Sequence, residues 1–325
     1  MKRRVKPCFF LVFTAGLAVA QSTSTTFTKD LNGNRADDRS VSTSAKGDRT
    51  ERYQSINGRQ IPVEQVTERV VSQDANGKVT ERIVQRFDAT GRPASTERVM
   101  VQESKLPDGG STVRETTYRS DVNGSLREAE RKSTETRVSG STTTASTVID
   151  RPGIGGTFET IEKRSAVTDG PPDNQRTTES VYKPGVSGGF QEALRVVKTA
   201  SKTNDTSKET TASYEPGMNG QLQLSSQSNS TTTKLPDGGQ TTQTDVYSLN
   251  VAGDSQESSA AMRVREQQIV QRRANPDGSV VETLSVRRPT PADPNRLGAL
   301  QKVSETLCTG KCQADSKAVA QTAKP

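Results

Sequence analysis

The run Asp30-Leu31-Asn32-Gly33-Asn34-Arg35-Ala36-Asp37-Asp38 holds side-chain oxygens at a spacing that a hard cation would use. Asp30, Asn32, Asn34 and Asp38 stand at offsets 1, 3, 5 and 9, like the opening of a calcium loop, whose ion takes about six to eight oxygen ligands. No acidic residue follows at offset 12, and a plain Asx turn explains the same residues, so calcium is left open and no other cofactor is implied. Cys308 and Cys312 are the cysteines downstream of Cys8, and in an oxidising compartment they pair with each other across a small loop. The chain contains no histidine, which removes Ser/His/Asp and Cys/His catalysis and imidazole metal sites. Neither a phosphate-cradling GxxxxGK[ST] loop nor a GxSxG elbow is present. Carboxylate pairs such as Glu128 and Glu130 are too common along the chain for one of them to mark a glycosidase site. No catalytic residue is assigned, and the expectation is a protein that is not an enzyme.

Residues 1–20 read as a secretory signal peptide. Lys2, Arg3, Arg4 and Lys6 form its basic head, Phe9 to Val19 its apolar middle, and Ala18-Val19-Ala20 a small-residue cleavage motif. The apolar run is too short to span a bilayer, and nothing comparable follows it. A secreted, periplasmic or cell-surface location is expected. Without the four head charges the formal +7 becomes +3, with 41 basic against 38 acidic side chains. Basic and acidic residues are interleaved and tryptophan is absent, so no nucleic-acid partner is expected.

The elements that would position any site come from a tandem repeat. Glycines Gly58, Gly91, Gly124, Gly155, Gly188, Gly220 and Gly253 are separated by 33, 33, 31, 33, 32 and 33 residues, and Gly33 is an earlier member at a shorter interval of 25. A large apolar residue keeps step upstream of each: Phe27, Tyr53, Phe87, Tyr118, Ile149, Tyr182, Tyr214 and Tyr247. Between them fall midpoint turns at Asn76-Gly77, Asp108-Gly109-Gly110, Ser139-Gly140, Pro172-Asp173-Asn174, Asn204-Asp205 and Asp237-Gly238-Gly239. Each unit therefore reads as two strands and two turns. Gly153-Ile154-Gly155-Gly156, although glycine-rich, occupies such a turn.

Composition restricts how these units fold. Only 29% of residues are hydrophobic while Ser and Thr number 75, too little apolar material for an ordinary core. The choice lies between a thin sheet with two wet faces and disorder. High strand propensity of Thr and Val, together with Asn-Gly and Asp-Gly turns, favours the sheet. The expected fold is all-β: an array of ~33-residue antiparallel hairpins over residues 21–288, forming an elongated, thin meander about 70 to 80 Å long with open edges. The tyrosines are expected to stack beside their counterparts in neighbouring units as an aromatic ladder. After Pro289, Pro291 and Pro294 the spacing of Leu297, Leu300, Val303 and Leu307 predicts a short amphipathic helix, either capping the sheet or forming transiently, in a segment 289–325 that ends in a disordered tail.

The turn Asp88-Ala89-Thr90-Gly91-Arg92 resembles the D-x-x-G-R turn of YD-type repeats of secreted bacterial proteins, and Asn57-Gly58-Arg59 echoes it. The Y-x-Y-D element of those repeats is absent, so the resemblance implies a secreted hairpin array and nothing more specific. Two functions fit. One is a structural or surface-interaction scaffold with cell-surface polymers or envelope proteins as partners. The other is a polysaccharide-binding module whose tyrosine ladder stacks on sugar rings.

Overall fold

The computed structural model describes residues 22–28, 41–46, 48–56, 59–121, 123–186, 188–248, 262–290 and 293–309. Every regular element among them is a strand. The first half of the chain supplies β1 (Ser22–Thr28), β2 (Val41–Lys46), β3 (Arg49–Ile56), β4 (Arg59–Gln73), β5 (Gly77–Phe87), β6 (Pro93–Lys105), β7 (Ser111–Ser120), β8 (Leu126–Ser139) and β9 (Thr142–Pro152). The second half supplies β10 (Phe158–Asp169), β11 (Asn174–Pro184), β12 (Phe190–Thr203), β13 (Thr206–Pro216), β14 (Leu222–Lys234), β15 (Gln240–Ser248), β16 (Arg263–Ala274), β17 (Val280–Arg287), β18 (Pro289–Thr290), β19 (Asp293–Leu297) and β20 (Gln301–Thr309). Threonine, valine and serine fill these segments, and from β4 to β15 turn residues separate consecutive strands too closely for any connection but a hairpin.

Strands β3 to β17 pair antiparallel in sequence order, and β20 continues the sheet beside β17. That meander alone is open, with β3 and β20 as its edges. Strands β1 and β2 lie between those edges: β2 pairs with β3, β1 with β2, and β1 with β20. All 18 strands of the sheet thus have a neighbour on both sides, and the edges expected to stay open are occupied. The pair β18 and β19 forms a separate small hairpin.

The helix expected around Leu297, Leu300, Val303 and Leu307 is replaced by strand. Leu297 closes β19, while Val303 and Leu307 belong to β20. The same residues fit an alternating pattern through Val303, Glu305 and Leu307, and the unpaired backbone of β17 offers partners from Cys308 to Gln301 that a lone short helix lacks.

The two turn classes face opposite rims. The five connections β5–β6, β7–β8, β9–β10, β11–β12 and β13–β14 each use a four-residue turn closed by a left-handed glycine. In the turn after β7, the Gly124 amide donates to the Asp121 carbonyl at 2.9 Å, and the Asp121 amide donates to the Ser125 carbonyl at 2.9 Å. Gly124 has φ +79°, which a side chain would resist. The turn after β9 follows the same pattern with the Gly156 amide donating to the Gly153 carbonyl, and the left-handed residue is Gly156 at φ +77°. Gly155 is therefore not the repeat glycine. Gly91, Gly124, Gly156, Gly188 and Gly220 all occupy the left-handed position. The six midpoint turns all connect even-numbered to odd-numbered strands on the other rim, where Asp277-Gly278 makes a further one.

The marker residues coincide with bulges. Where an odd-numbered strand meets the next even-numbered one, the ladder skips a residue: between Arg52 and Tyr53, Arg86 and Phe87, Thr117 and Tyr118, Val181 and Tyr182, Ser213 and Tyr214, and Val246 and Tyr247. Two residues on the even-numbered strand then face one on its partner, which bends the strand and increases its twist. Pro62, facing Tyr53, sits at such a bulge, where a proline in a paired strand is tolerated.

Candidate functional site

Cross-strand partners project to the same side of a sheet, so register assigns side chains to faces. Tyr118 faces Arg98, Tyr182 faces Lys163, Tyr214 faces Arg195, and Tyr247 faces Gln227, in each case on the preceding even-numbered strand. A tyrosine is thus flanked by a long polar side chain and not by another tyrosine, which corrects the expected ring-on-ring ladder. Successive odd-numbered strands are separated by an intervening even-numbered one, about 10 Å apart, too far for ring contact when the register also slides.

Cations sit against the rings. The Arg98 guanidinium carbon lies 5.7 Å from the Tyr118 ring centre, Arg131 stands 4.0 Å from Phe158, and the Lys163 ammonium stands 4.4 Å from Phe190. Such contacts are worth about 0.5–1 kcal/mol at exposed sites. Carboxylates fix the cations from the other side: Arg131 Nε donates to Glu128 Oε1 at 2.5 Å, and Arg195 Nη2 to Glu192 Oε2 at 2.7 Å. The hydrogen bonds from Arg131 and Arg195 hold the Glu128 and Glu192 carboxyls below the usual carboxylate range. The rings themselves, Tyr53, Phe87, Tyr118, Tyr182, Tyr214 and Tyr247, are half-buried.

Ile149 does not belong to this face. It pairs with Lys132 and Glu162, whereas the neighbouring Asp150 pairs with Arg131 and stands where the tyrosines stand. The cause is the glycine register: Tyr118, Tyr182 and Tyr214 lie six residues before Gly124, Gly188 and Gly220, and the residue six before Gly156 is Asp150. Ile149 joins Val84 and Val181 on the opposite face, and these three are the buried hydrophobic residues among the described ones. Lys132 faces Ile149 and Arg164 faces Val181 across the ladder, while their charges pair with Glu115 and Glu162. Cross-strand hydroxyl pairs complete that face, with Thr134 against Thr147, Thr168 against Thr177, and Thr232 against Thr242 at 2.9 Å each.

Glu81 forms the most enclosed charged cluster. Its side chain is 4% exposed, it accepts from Arg69 Nε at 2.5 Å, and Arg98 Nε lies 2.7 Å from its other oxygen. Arg98 Nε lacks hydrogen-bonding geometry there, so that second contact is an ion pair. The hydrogen bond from Arg69 is the main reason that the Glu81 carboxyl titrates below its ordinary value. At β3, Tyr53 donates to Glu51 at 2.6 Å, which lowers the Glu51 carboxyl and raises the Tyr53 hydroxyl. A concavity of about 230 Å³ lies at the β4–β5 turn between Ser72, Asp74, Lys78 and Lys105.

Asp30, Asn32, Asn34 and Asp38 lie outside the described residues, as do Gly33, Gly58 and Gly253. Phe27 belongs to β1, where its backbone partner is Glu305. Cys308 is in β20, and its expected bond to Cys312 falls outside the described residues. Among the described residues no three metal-ligating side chains cluster, and no helix is long and apolar enough to cross a membrane. Two features went unread in the sequence. A cation stands 19 or 20 residues before each tyrosine from Tyr118 to Tyr214, a spacing visible in the chain itself. The other is a set of apolar side chains at the turn tips, Ile154, Val186 and Met218, which are fully exposed.

No protein-family model matches the chain, and no curated protein sequence matches it. Among solved structures, a crystal structure of the vaccine antigen Transferrin Binding Protein B, mutant Trp-176-Ala, from Haemophilus parasuis Hp5 is similar at 9% identity. The match covers 91% of this chain and 76% of that one with a TM-score of 0.14. A likeness at that score carries no argument about fold or function.

Proposed function

We propose that this chain is a non-catalytic, exported structural scaffold that presents a polar β-surface to other components of the cell exterior. The observation that carries the reading is the mutual occupation of its side chains. Arg98, Arg131 and Lys163 stand against the rings of Tyr118, Phe158 and Phe190, carboxylates pair with arginines on the same face, and hydroxyl pairs bridge strands on the opposite one. Groups satisfied within the sheet are suited to holding shape rather than to attacking a substrate. Export rests on the leader-like residues 1–20 and the secreted location on the same stretch.

Polysaccharide binding through the tyrosines is the competing role, and the guanidinium against Tyr118 disfavours it at that ring because a sugar needs an open aromatic face. The test is iodide quenching of tyrosine fluorescence in the mature chain, combined with retention on immobilised glycans. Weak quenching without retention supports the scaffold. Strong quenching relieved by an added glycan refutes it.

A further inference from the structure

Three consecutive turns on one rim end in an apolar side chain with no contact to the rest of the molecule. Ile154, Val186 and Met218 are fully exposed. Each occupies the second position of its turn, in Pro152-Gly153-Ile154, Pro184-Gly185-Val186 and Pro216-Gly217-Met218. All three turns leave odd-numbered strands, so they project from the same rim at intervals of two strands, about 10 Å.

The tips are held firmly. Below them the ladder ends in the pairs Phe158 with Pro152, Phe190 with Pro184, and Leu222 with Pro216. The turn hydrogen bonds from Gly156, Gly188 and Gly220 measure 2.9, 3.1 and 2.9 Å. A change in capping chemistry accompanies the apolar tips. The earlier turns on this rim are capped by carboxylates, with Asp88 accepting from Thr90 and Arg92, and Asp121 from Asn123 and Ser125. At the corresponding positions the three later turns have Gly153, Gly185 and Gly217, so no acid stands beside Ile154, Val186 or Met218 within its turn.

We infer that this rim is a docking edge for a lipid bilayer surface, with Ile154, Val186 and Met218 inserting into the headgroup–acyl boundary. The inference is separate from the scaffold reading, since it needs only the turns and their order on one rim. A second copy of the chain is a poorer occupant. Three tips offer roughly 100 Å² each, so two copies meeting tip to tip bury about 600 Å². That is half of the about 1,200 Å² at which specific protein interfaces begin. Convex, isolated tips also lack the recessed pocket in which a protein partner anchors a side chain. A bilayer accepts separate apolar points without a complementary shape, and none of the three turns carries an acidic residue of its own, although the Glu159 carboxylate lies against Gly153 at the base of the first. Arg151, paired with Glu130, and Lys183 stand three residues before Ile154 and Val186, placing cations at headgroup depth at two of the tips, while Glu215 holds that position before Met218.

The experiment uses the mature chain, residues 21–325, and large unilamellar vesicles of phosphatidylethanolamine and phosphatidylglycerol at 3:1, read by flotation. The combined variant Ile154→Ser, Val186→Ser, Met218→Ser removes the tips, and Val138→Ser removes an apolar residue of 57% exposure near the opposite rim. Each tip is expected to contribute on the order of tenfold to partition. The triple variant should therefore lose about a thousandfold, while Val138→Ser stays within about twofold of the parent. Circular dichroism of the triple variant should match the parent, because the replaced side chains touch nothing. The chain has no tryptophan, so Val186→Trp introduces a single reporter. Its emission should shift to the blue on vesicle addition and be quenched by brominated acyl chains. Equal flotation of parent and triple variant overturns the inference, as does an unshifted Val186→Trp emission. Loss of a solution dimer in the triple variant, with no flotation of the parent, assigns the rim to a second copy and also overturns it.

Discussion

Replacing Gly156 and Gly155 separately by alanine tests the register on which the faces depend. Both positions are open: an added Cβ meets no atom within 4 Å at either glycine. They differ in backbone alone, because Gly156 has φ +77° and Gly155 is not among the left-handed glycines. An L-residue in the left-handed region costs about 1–2 kcal/mol. Alanine at a position that it adopts without strain stabilises by about 0.4–1 kcal/mol through the unfolded chain. Gly156→Ala should therefore be less stable than Gly155→Ala by about 1.5–3 kcal/mol, a ratio on the order of 10 to 100 in the opening equilibrium. Long repeat arrays open locally, so a single melting temperature is a poor measure. Hydrogen exchange read on a peptide spanning residues 150–160 is suited to it. The Gly156 amide, which donates to the Gly153 carbonyl at 2.9 Å, should exchange faster in Gly156→Ala and no faster in Gly155→Ala. Equal acceleration in the two variants, or a larger one in Gly155→Ala, refutes the register and with it the placement of Asp150 among the tyrosines.

Glu81→Gln removes the carboxylate shared by Arg69 and Arg98; because both arginines reach water, the loss should be about 1–2 kcal/mol, measured by urea titration with circular dichroism. An unchanged midpoint would show that the cluster contributes nothing. The carboxyls of Glu51, Glu81, Glu128 and Glu192 all titrate below their ordinary range, so the stability they add is fully present above about pH 4.3 and is lost as pH falls through their lower folded values. An acid titration should show stability falling below about pH 4, and the fall should be shallower in Glu81→Gln. Deleting residues 22–28 uncovers one side of β2 and one side of β20, so concentration-dependent association is expected by light scattering; a strictly monomeric variant would refute the pairing of β1.

Much of the fold was legible because hairpin chemistry is local. Asp121-Val122-Asn123-Gly124 specifies its turn within four residues, and Thr-rich segments such as Ser111–Ser120 state their strand propensity without reference to a core. The face of Ile149 was not legible from counting glycines, since Gly155 and Gly156 are adjacent and only backbone geometry distinguishes the left-handed one. The cations opposite Tyr118, Tyr182 and Tyr214 depend on pairing between strands, which a period along one strand does not reveal. Strand β20 was misread because Leu297, Leu300, Val303 and Leu307 satisfy a helical spacing, while the neighbour that decides the matter, β17, is supplied by tertiary pairing. Closure through β1 and β2 likewise depends on residues far apart in sequence.

Bulges recurring once per unit have an evolutionary corollary. Each repeat carries its own bend and its own pair of turns, so duplication or loss of a complete unit changes the strand count by two and preserves the alternation that lets β1 meet β20 antiparallel. A unit adds about 10 Å to the perimeter and demands no compensating change in a packed interior. Lineages carrying such a chain are free to vary it in whole units, whereas gain or loss of half a unit would reverse the direction of every later strand and bring the two ends together parallel.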